Sequence, residues 1–239
     1  LEKEDGRCRL SGVKPARMPL RIVIDVRYIT DFGIGTYIRN LIAALGEIDR
    51  TNHYYLVGTR NDIQNLQNLP PNFEPEAYQP PSFQYWHQVA FPSFLRRFAP
   101  DLVHMPLNAT TFYMPKPYVV AVHDLSSFLF NPRPHRSTVL EDLRLSQFRR
   151  GLLQAERIIA VSAATQRDVQ NLLGAAEDRI RRVYSAPDSR FLDTPPVYTS
   201  RSSGSENQDP QTMDVLERFQ IQQPFLLYAG RIRPHKNIP

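Results

Sequence analysis

The chain of 239 residues has a single cysteine, Cys8, so it cannot form an internal disulfide. That excludes a disulfide-stapled secreted scaffold and fits a reducing cytoplasm. No apolar run reaches the roughly 18 residues that cross a bilayer, so the expected location is the cytoplasm, free or peripheral at the inner membrane. Residues 1–17 are polar and charged without an apolar stretch; they are no secretory signal and read as a disordered tail or a start-site artefact ahead of Met18. There is no G-x-S-x-G elbow, no Walker A loop and no recognisable Ser-His-Asp set, which removes hydrolase and nucleoside-triphosphatase readings. The histidines lack zinc-type spacing, so no metal is expected. The arginines are scattered rather than gathered in an arm or module, so nucleic acid is not an expected partner, and no solenoid-length repeat is present.

What is present is globular in kind: 41% hydrophobic and 22% charged residues, enough to bury a core and too apolar for a disordered or collagen-like chain. The net charge of +5 and pI near 9.4 suit phosphorylated ligands, nucleic acid or anionic lipid without choosing among them. The length suggests one large domain and part of another.

Aliphatic runs alternate with helical spacings. LRIVIDV (Leu20–Val26) has the near-continuous apolarity of a strand buried on both faces, and after a Gly-containing turn Ile38, Leu41, Ile42 and Leu45 recur at helical spacing with Thr36 as a plausible cap. YYLVG (Tyr54–Gly58) completes a β-α-β unit, which makes the sheet parallel. Further strands are expected at Asp101–Pro106, Tyr118–Leu125, Arg157–Ser162 and Arg179–Ser185. Helices are expected at Gln84–Phe98 with Pro92 as a kink or restart, at Thr138–Ala155, and at Ala163–Leu173 between a Ser162 cap and Gly174. The fold class is α/β, a Rossmann-like open parallel sheet with helices on both faces, spanning 18–192. Residues 193–224, rich in Pro, Ser and Gly, read as a linker with a short helix at Met213–Phe219. FLLYAG (Phe225–Gly230) reads as a strand, and 225–239 as the start of a truncated second lobe.

Chemistry concentrates at strand ends, where open α/β sheets bind ligands. Gly33-Ile34-Gly35 sits between the first strand and its helix, a natural phosphate site. The third glycine of the dinucleotide fingerprint is replaced by Ile38 and the acidic ribose contact by Gly58-Thr59-Arg60; this argues against NAD and leaves an NADP-dependent reductase, using Arg60, as an alternative. His104 and His123 end two strands, and Asp124 adjoins the second; these are candidate substrate contacts or proton carriers. Arg231 and Lys236 follow the FLLYAG segment and are suited to a diphosphate. YWHQVAFPSFLRRFAP places Phe91, Phe94, Leu95 and Phe98 beside Arg96 and Arg97, either a core-facing helix or an interfacial face toward a lipid.

In order, IVIDVRYITDFGIGTYIRNLIAAL, DLVHMP, VVAVHDLS, AERIIAVSAATQRDV and YAGRIRPHKNIP resemble the segments of the family 4 glycosyltransferases. The resemblance implies the N-terminal, acceptor-side lobe of a two-lobed GT-B fold and transfer of a hexose, mannose as the first guess, from a nucleotide-diphosphate sugar to a glycan or lipid-linked acceptor with retention. It implies that Gly33 and Gly35 approach the donor phosphates, that His123 is the catalytic-centre contact to the sugar, and that Arg231 and Lys236 stabilise the departing diphosphate. No cofactor or metal is implied, the nucleotide sugar being a co-substrate. Two departures stand out: Phe32-Gly33 where the family often has paired glycines, and Ser185-Ala186-Pro187-Asp188 in place of Asn-Gly-Val-Asp. A non-catalytic half working with a separate C-terminal lobe is the other reading.

Overall fold

Residues Arg21–Asp25 form β1, whose alternate side chains feed two different cores, as expected of a strand covered on both faces. The computed structural model describes residues 18–83, 86–125, 139–188, 191, 217–222, 224–228 and 230, in two compact units, Leu1–Phe191 and Leu192–Pro239. Cys8, Arg231 and Lys236 lie outside the described residues, as does the expected tail.

In the first unit β1 is followed by β2 (His53–Gly58), β3 (Phe73–Ala77), β4 (Leu102–Met105), β5 (Tyr118–Val122), β6 (Arg157–Ala160) and β7 (Ile180–Arg182). All pairings are parallel, in the order β3-β2-β1-β4-β5-β6-β7. Between β1 and β4 the direction of winding reverses, so this is the topological switch point of the sheet. Helices α1 (Phe32–Ile48) and α2 (Arg60–Gln64) cover one face, and α3 (His87–Arg96), α4 (Val139–Gln154) and α5 (Ala163–Leu173) the other. This is the Rossmann-like α/β sheet expected from the sequence.

Helix α1 buries Gly35, Ile38, Ile42 and Gly46 at helical spacing; the two isoleucines pack in one cluster with Ile24, Leu56 and Phe73, and the glycines lie against Ile29 and Pro70. Each fully buried aliphatic side chain of this kind stabilises by about 1.5–3 kcal/mol. Thr36 does not cap α1. The chain turns at once after β1 (Ile29 N–H to Val26 O, 3.0 Å; Asp31 N–H to Tyr28 O, 3.0 Å), so the helix starts at Phe32 with Asp31 as N-cap, and the Thr36 hydroxyl instead donates to Phe32 O at 3.1 Å. Ser162 caps α5 by accepting from the Thr165 N–H at 3.0 Å, and Gly174 ends it with φ 69°, a left-handed conformation that favours glycine.

Two elements escape the sequence pattern. FEPEA (β3) contains Pro75 and pairs only with β2, at the sheet edge, where a missing N–H is tolerated. Helix α2 is a single short turn held by a capping box between Thr59 and Asp62. The strand expected at Phe225–Gly230 does not form: Phe225–Tyr228 have no regular structure, and Leu226 and Leu227 are exposed. A strand forms only through ladder hydrogen bonds to a neighbouring strand, so an apolar run alone does not make one. Of the helix expected at Met213–Phe219, only Glu217, Arg218 and Phe219 are described; the first two are helical and Phe219 is in a turn.

Gly151 lets α4 sit against the loop after β4. A Cβ there would lie 2.9 Å from Thr110 Cβ and run into its hydroxyl, while the Gly151 carbonyl accepts from the buried Tyr118 hydroxyl at 2.8 Å. Gly151→Ala should therefore destabilise by about 1–3 kcal/mol, read as a lower urea midpoint at unchanged m-value.

Candidate functional site

The C-terminal end of β1 carries a buried ion pair. Asp25 is 1% exposed and accepts from Arg27 Nε (2.8 Å) and Nη2 (2.8 Å), a two-pronged contact. Arg27 Nη1 donates to His87 Nε2 at 2.8 Å, so a neutral His87 carries its proton on Nδ1, which lies 3.0 Å from the Tyr78 hydroxyl. The guanidinium carbon is 3.7 Å from the centre of the Phe91 ring, a cation–π contact. Burial opposes the charge on Arg27, but the Asp25 carboxylate outweighs it and raises the Arg27 pKa. Burial and then the nearby guanidinium push His87 down, with Asp25 opposing. The network ties β1 to α3 immediately beside the switch point.

Across that point stand the two expected histidines. His104, on β4, is in register with Ile24 of β1. Its Nε2 is buried with no hydrogen-bond partner, and burial, aided by His123 and opposed by Asp25, holds its pKa down to about 4. His123 follows β5. Its Nε2 lies 2.9 Å from Pro106 O, which can only accept, so a neutral ring donates from Nε2 and keeps Nδ1 as an acceptor. The His123 carbonyl accepts from the Thr165 hydroxyl at 3.1 Å, fixing the residue to the cap of α5. Tyr37 of α1 joins the pair: its ring meets His123 edge-on at 5.0 Å and lies at 26° to His104 at 6.3 Å. Burial pushes the Tyr37 phenol up to about 12. Asp124, next in the chain, is exposed.

The glycines divide by environment. A Cβ on Gly35 would strike the Ile29 carbonyl, so this glycine permits the tight entry into α1. A Cβ on Gly33 would meet nothing within 4 Å, and the residue is exposed in the first helical turn, where N–H groups lack intrahelical acceptors. The Asn40 side chain on α1 donates to Ala186 O (3.1 Å) and Pro187 O (3.0 Å), so the divergent Ser185–Asp188 segment is tied to α1.

The structure thus brings His104 and His123 together around Tyr37, one helical turn from the open Gly33. Asp25, Arg27, Tyr37 and His87 were not singled out from the sequence. Asp25 and Arg27 had a visible signal, opposite charges two apart at the end of an aliphatic run; Tyr37 and His87 had none. Among the described residues no group of three or more acidic, His or Cys side chains is placed to hold a metal, and no helix is long and apolar enough to cross a membrane.

A sequence comparison gives the family: the model of Glycosyltransferase Family 4 matches residues 33–190, about two thirds of the chain. The chain belongs to that family. Among solved structures, a glycosyltransferase from Rickettsia africae ESF-5 is similar at 11% identity and TM-score 0.49, covering 86% of this chain and 51% of that one. HepE of Anabaena, solved in complex with UDP and also with UDP and glucose, is similar at 18% identity and TM-score 0.47, covering 74% of this chain and 47% of that one. This family 4 chain therefore spans about half the length of those structures. No match was found among curated proteins. Family membership leaves the reductase reading without support; Arg60, on which it drew, is exposed in the first turn of α2.

Proposed function

We propose that this family 4 chain forms the acceptor-side lobe of a cytoplasmic, retaining, metal-independent hexosyltransferase of the two-lobed GT-B kind, acting from a nucleotide-diphosphate sugar on a glycan or lipid-linked acceptor. Mannose is the first sugar to test. The observation that carries the reading is the position of His123: its Nε2 is tied to Pro106 O at 2.9 Å and its ring is braced by Tyr37, beside the N-terminal end of α1 with its open Gly33.

The chemistry follows from charge. Sugar transfer builds negative charge on the departing diphosphate and positive character at the anomeric carbon. The positive end of α1 at the open Gly33 favours the diphosphate, Gly35 serving to shape the turn that presents it, and in this reading Arg231 and Lys236 add fixed cations to it. His123 Nδ1 accepts a hydrogen bond from a hydroxyl of the transferred sugar, which orients the ring for departure. Asp124, exposed at the end of β5, contacts substrate, while His104, a candidate contact in the sequence, is buried and bears on the site through the neighbouring Tyr37 and His123 rings. Nucleotide base and ribose belong to a second lobe, of which the resemblance places the first segment at 225–239.

The test is release of nucleoside diphosphate from a panel of nucleotide sugars by the transferase comprising this chain and its second lobe. His123→Asn should lower turnover about tenfold, the worth of one well-placed hydrogen bond in the transition state. Turnover unchanged in that variant, or no turnover of any nucleotide sugar by the parent, overturns the proposal.

A further inference from the structure

Of the two readings of this stretch, the core-facing helix is the one the packing shows for the apolar row. Phe91 and Leu95 are fully buried, and Phe94 and Phe98 pack against the same core, so the apolar row named from the sequence belongs to the interior. The residues facing out are Trp86, Val89, Ser93, Arg96 and Arg97, which recur on one side of the helix; Trp86 is 66% and Val89 49% exposed. Phe83, 72% exposed, stands one turn before, its carbonyl accepting from the Trp86 N–H at 3.0 Å. Tyr113, 62% exposed, belongs to a loop laid along the same helix: Arg96 Nη2 donates to Tyr113 O at 2.6 Å, and the Phe112 N–H to Gln88 Oε1 at 3.3 Å.

The stretch that carries these rings is rich in one sign of charge. Between Glu76 and Asp124 the only acidic residue is Asp101, and it is paired with Arg21 at 3.4 Å. The same stretch carries Arg96, Arg97 and Lys116. Exposed Trp, Tyr and Phe rings with arginines and no carboxylate of their own stretch beyond that paired one suit the headgroup level of a bilayer, where amphipathic rings insert shallowly and cations meet lipid phosphates. The row is only about 15 Å long at 1.5 Å per helical residue, small for a stable protein interface but sufficient for ring insertion, which requires no complementary shape.

We propose that the outward face of α3, with Phe83 and Tyr113, docks this chain onto the surface of an anionic phospholipid bilayer. The docking follows from the composition of that face and is independent of whether the chain transfers a sugar.

Trp86 is the only tryptophan in the sequence, so its emission reports on this face alone. The full chain is titrated with phosphatidylcholine vesicles with and without phosphatidylglycerol. The expected result is a blue-shifted, brighter emission with the phosphatidylglycerol vesicles only, reversed by added salt. Partition of Arg96→Gln/Arg97→Gln should be at least about tenfold weaker, with an unchanged far-UV circular dichroism spectrum. A Phe83→Ser/Tyr113→Ser variant, which keeps both arginines, should also bind more weakly. The proposal is overturned if the chain does not sediment with anionic vesicles, or if it sediments while Trp86 stays open to aqueous iodide, since binding then uses another surface. An emission change produced by a soluble oligosaccharide and not by vesicles also overturns it.

Discussion

Arg27→Ala should destabilise the sheet unit by about 3–5 kcal/mol, because it leaves the Asp25 carboxylate buried without its counter-charge. Asp25 is 1% exposed, and the guanidinium supplies two side-chain hydrogen bonds to it, a third to His87, and a stacked contact on Phe91. Arg27→Lys should recover only part of the loss, since an ammonium is a point charge and cannot bridge both carboxylate oxygens while reaching the imidazole. Asp25→Asn/Arg27→Met should be less destabilised than Arg27→Ala alone, because removing both charges removes the unpaired one. Urea unfolding of the four proteins decides the matter; a loss below about 1 kcal/mol for Arg27→Ala would show that water reaches Asp25 and that the pair does not hold β1 to α3.

The same sheet unit should gain roughly 3 kcal/mol of stability between about pH 4 and pH 7 through His104. In the unfolded chain this imidazole takes a proton near its ordinary value, about 6.5, whereas in the fold burial delays protonation to about 4. Between those values the unfolded state binds more protons, so stability rises with pH. Above about pH 7 the ring is neutral in both states and the contribution is full and constant; it declines as pH falls and is lost below about 4. The depressed His87 acts in the same direction. Unfolding measured across this range should show a shallower slope in His104→Gln, and the His104 ring resonances should titrate well below those of a free histidine. An unchanged slope in the variant would mean that the ring is hydrated in the fold.

The legible part of the fold was the part dictated by repeated local chemistry. The aliphatic run of β1, the spacing of Ile38 and Ile42, and the Ser162 and Gly174 boundaries of α5 each state their structure within a few residues. The missed parts depend on partners distant in sequence. FEPEA becomes a strand because β2 offers it an edge, whereas Phe225–Tyr228, more strand-like in composition, has no regular structure. Thr36 looked like a cap because the turn that starts α1 four residues earlier is held by backbone bonds that no side chain announces. In the candidate site, His104 and His123 were legible as polar residues ending apolar strands. Their common neighbour Tyr37 was not, because only the packing of α1 on the sheet brings it to them.

The central claim is that the C-terminal end of this sheet, around Gly33 and His123, is where a nucleotide-diphosphate sugar meets the chain. The most direct measurement is NMR of the isotope-labelled protein during titration with nucleotide-diphosphate hexoses, which detects binding even when it is weak. The account predicts that the Gly33 and Gly35 amides and the His123 ring shift together. The opposite end of the sheet, where Lys116, Tyr118, Glu156, Arg157 and Arg179 line a cavity of about 500 Å³, should stay still. Shifts confined to that cavity, or none at Gly33 and His123 with any nucleotide sugar, would contradict it.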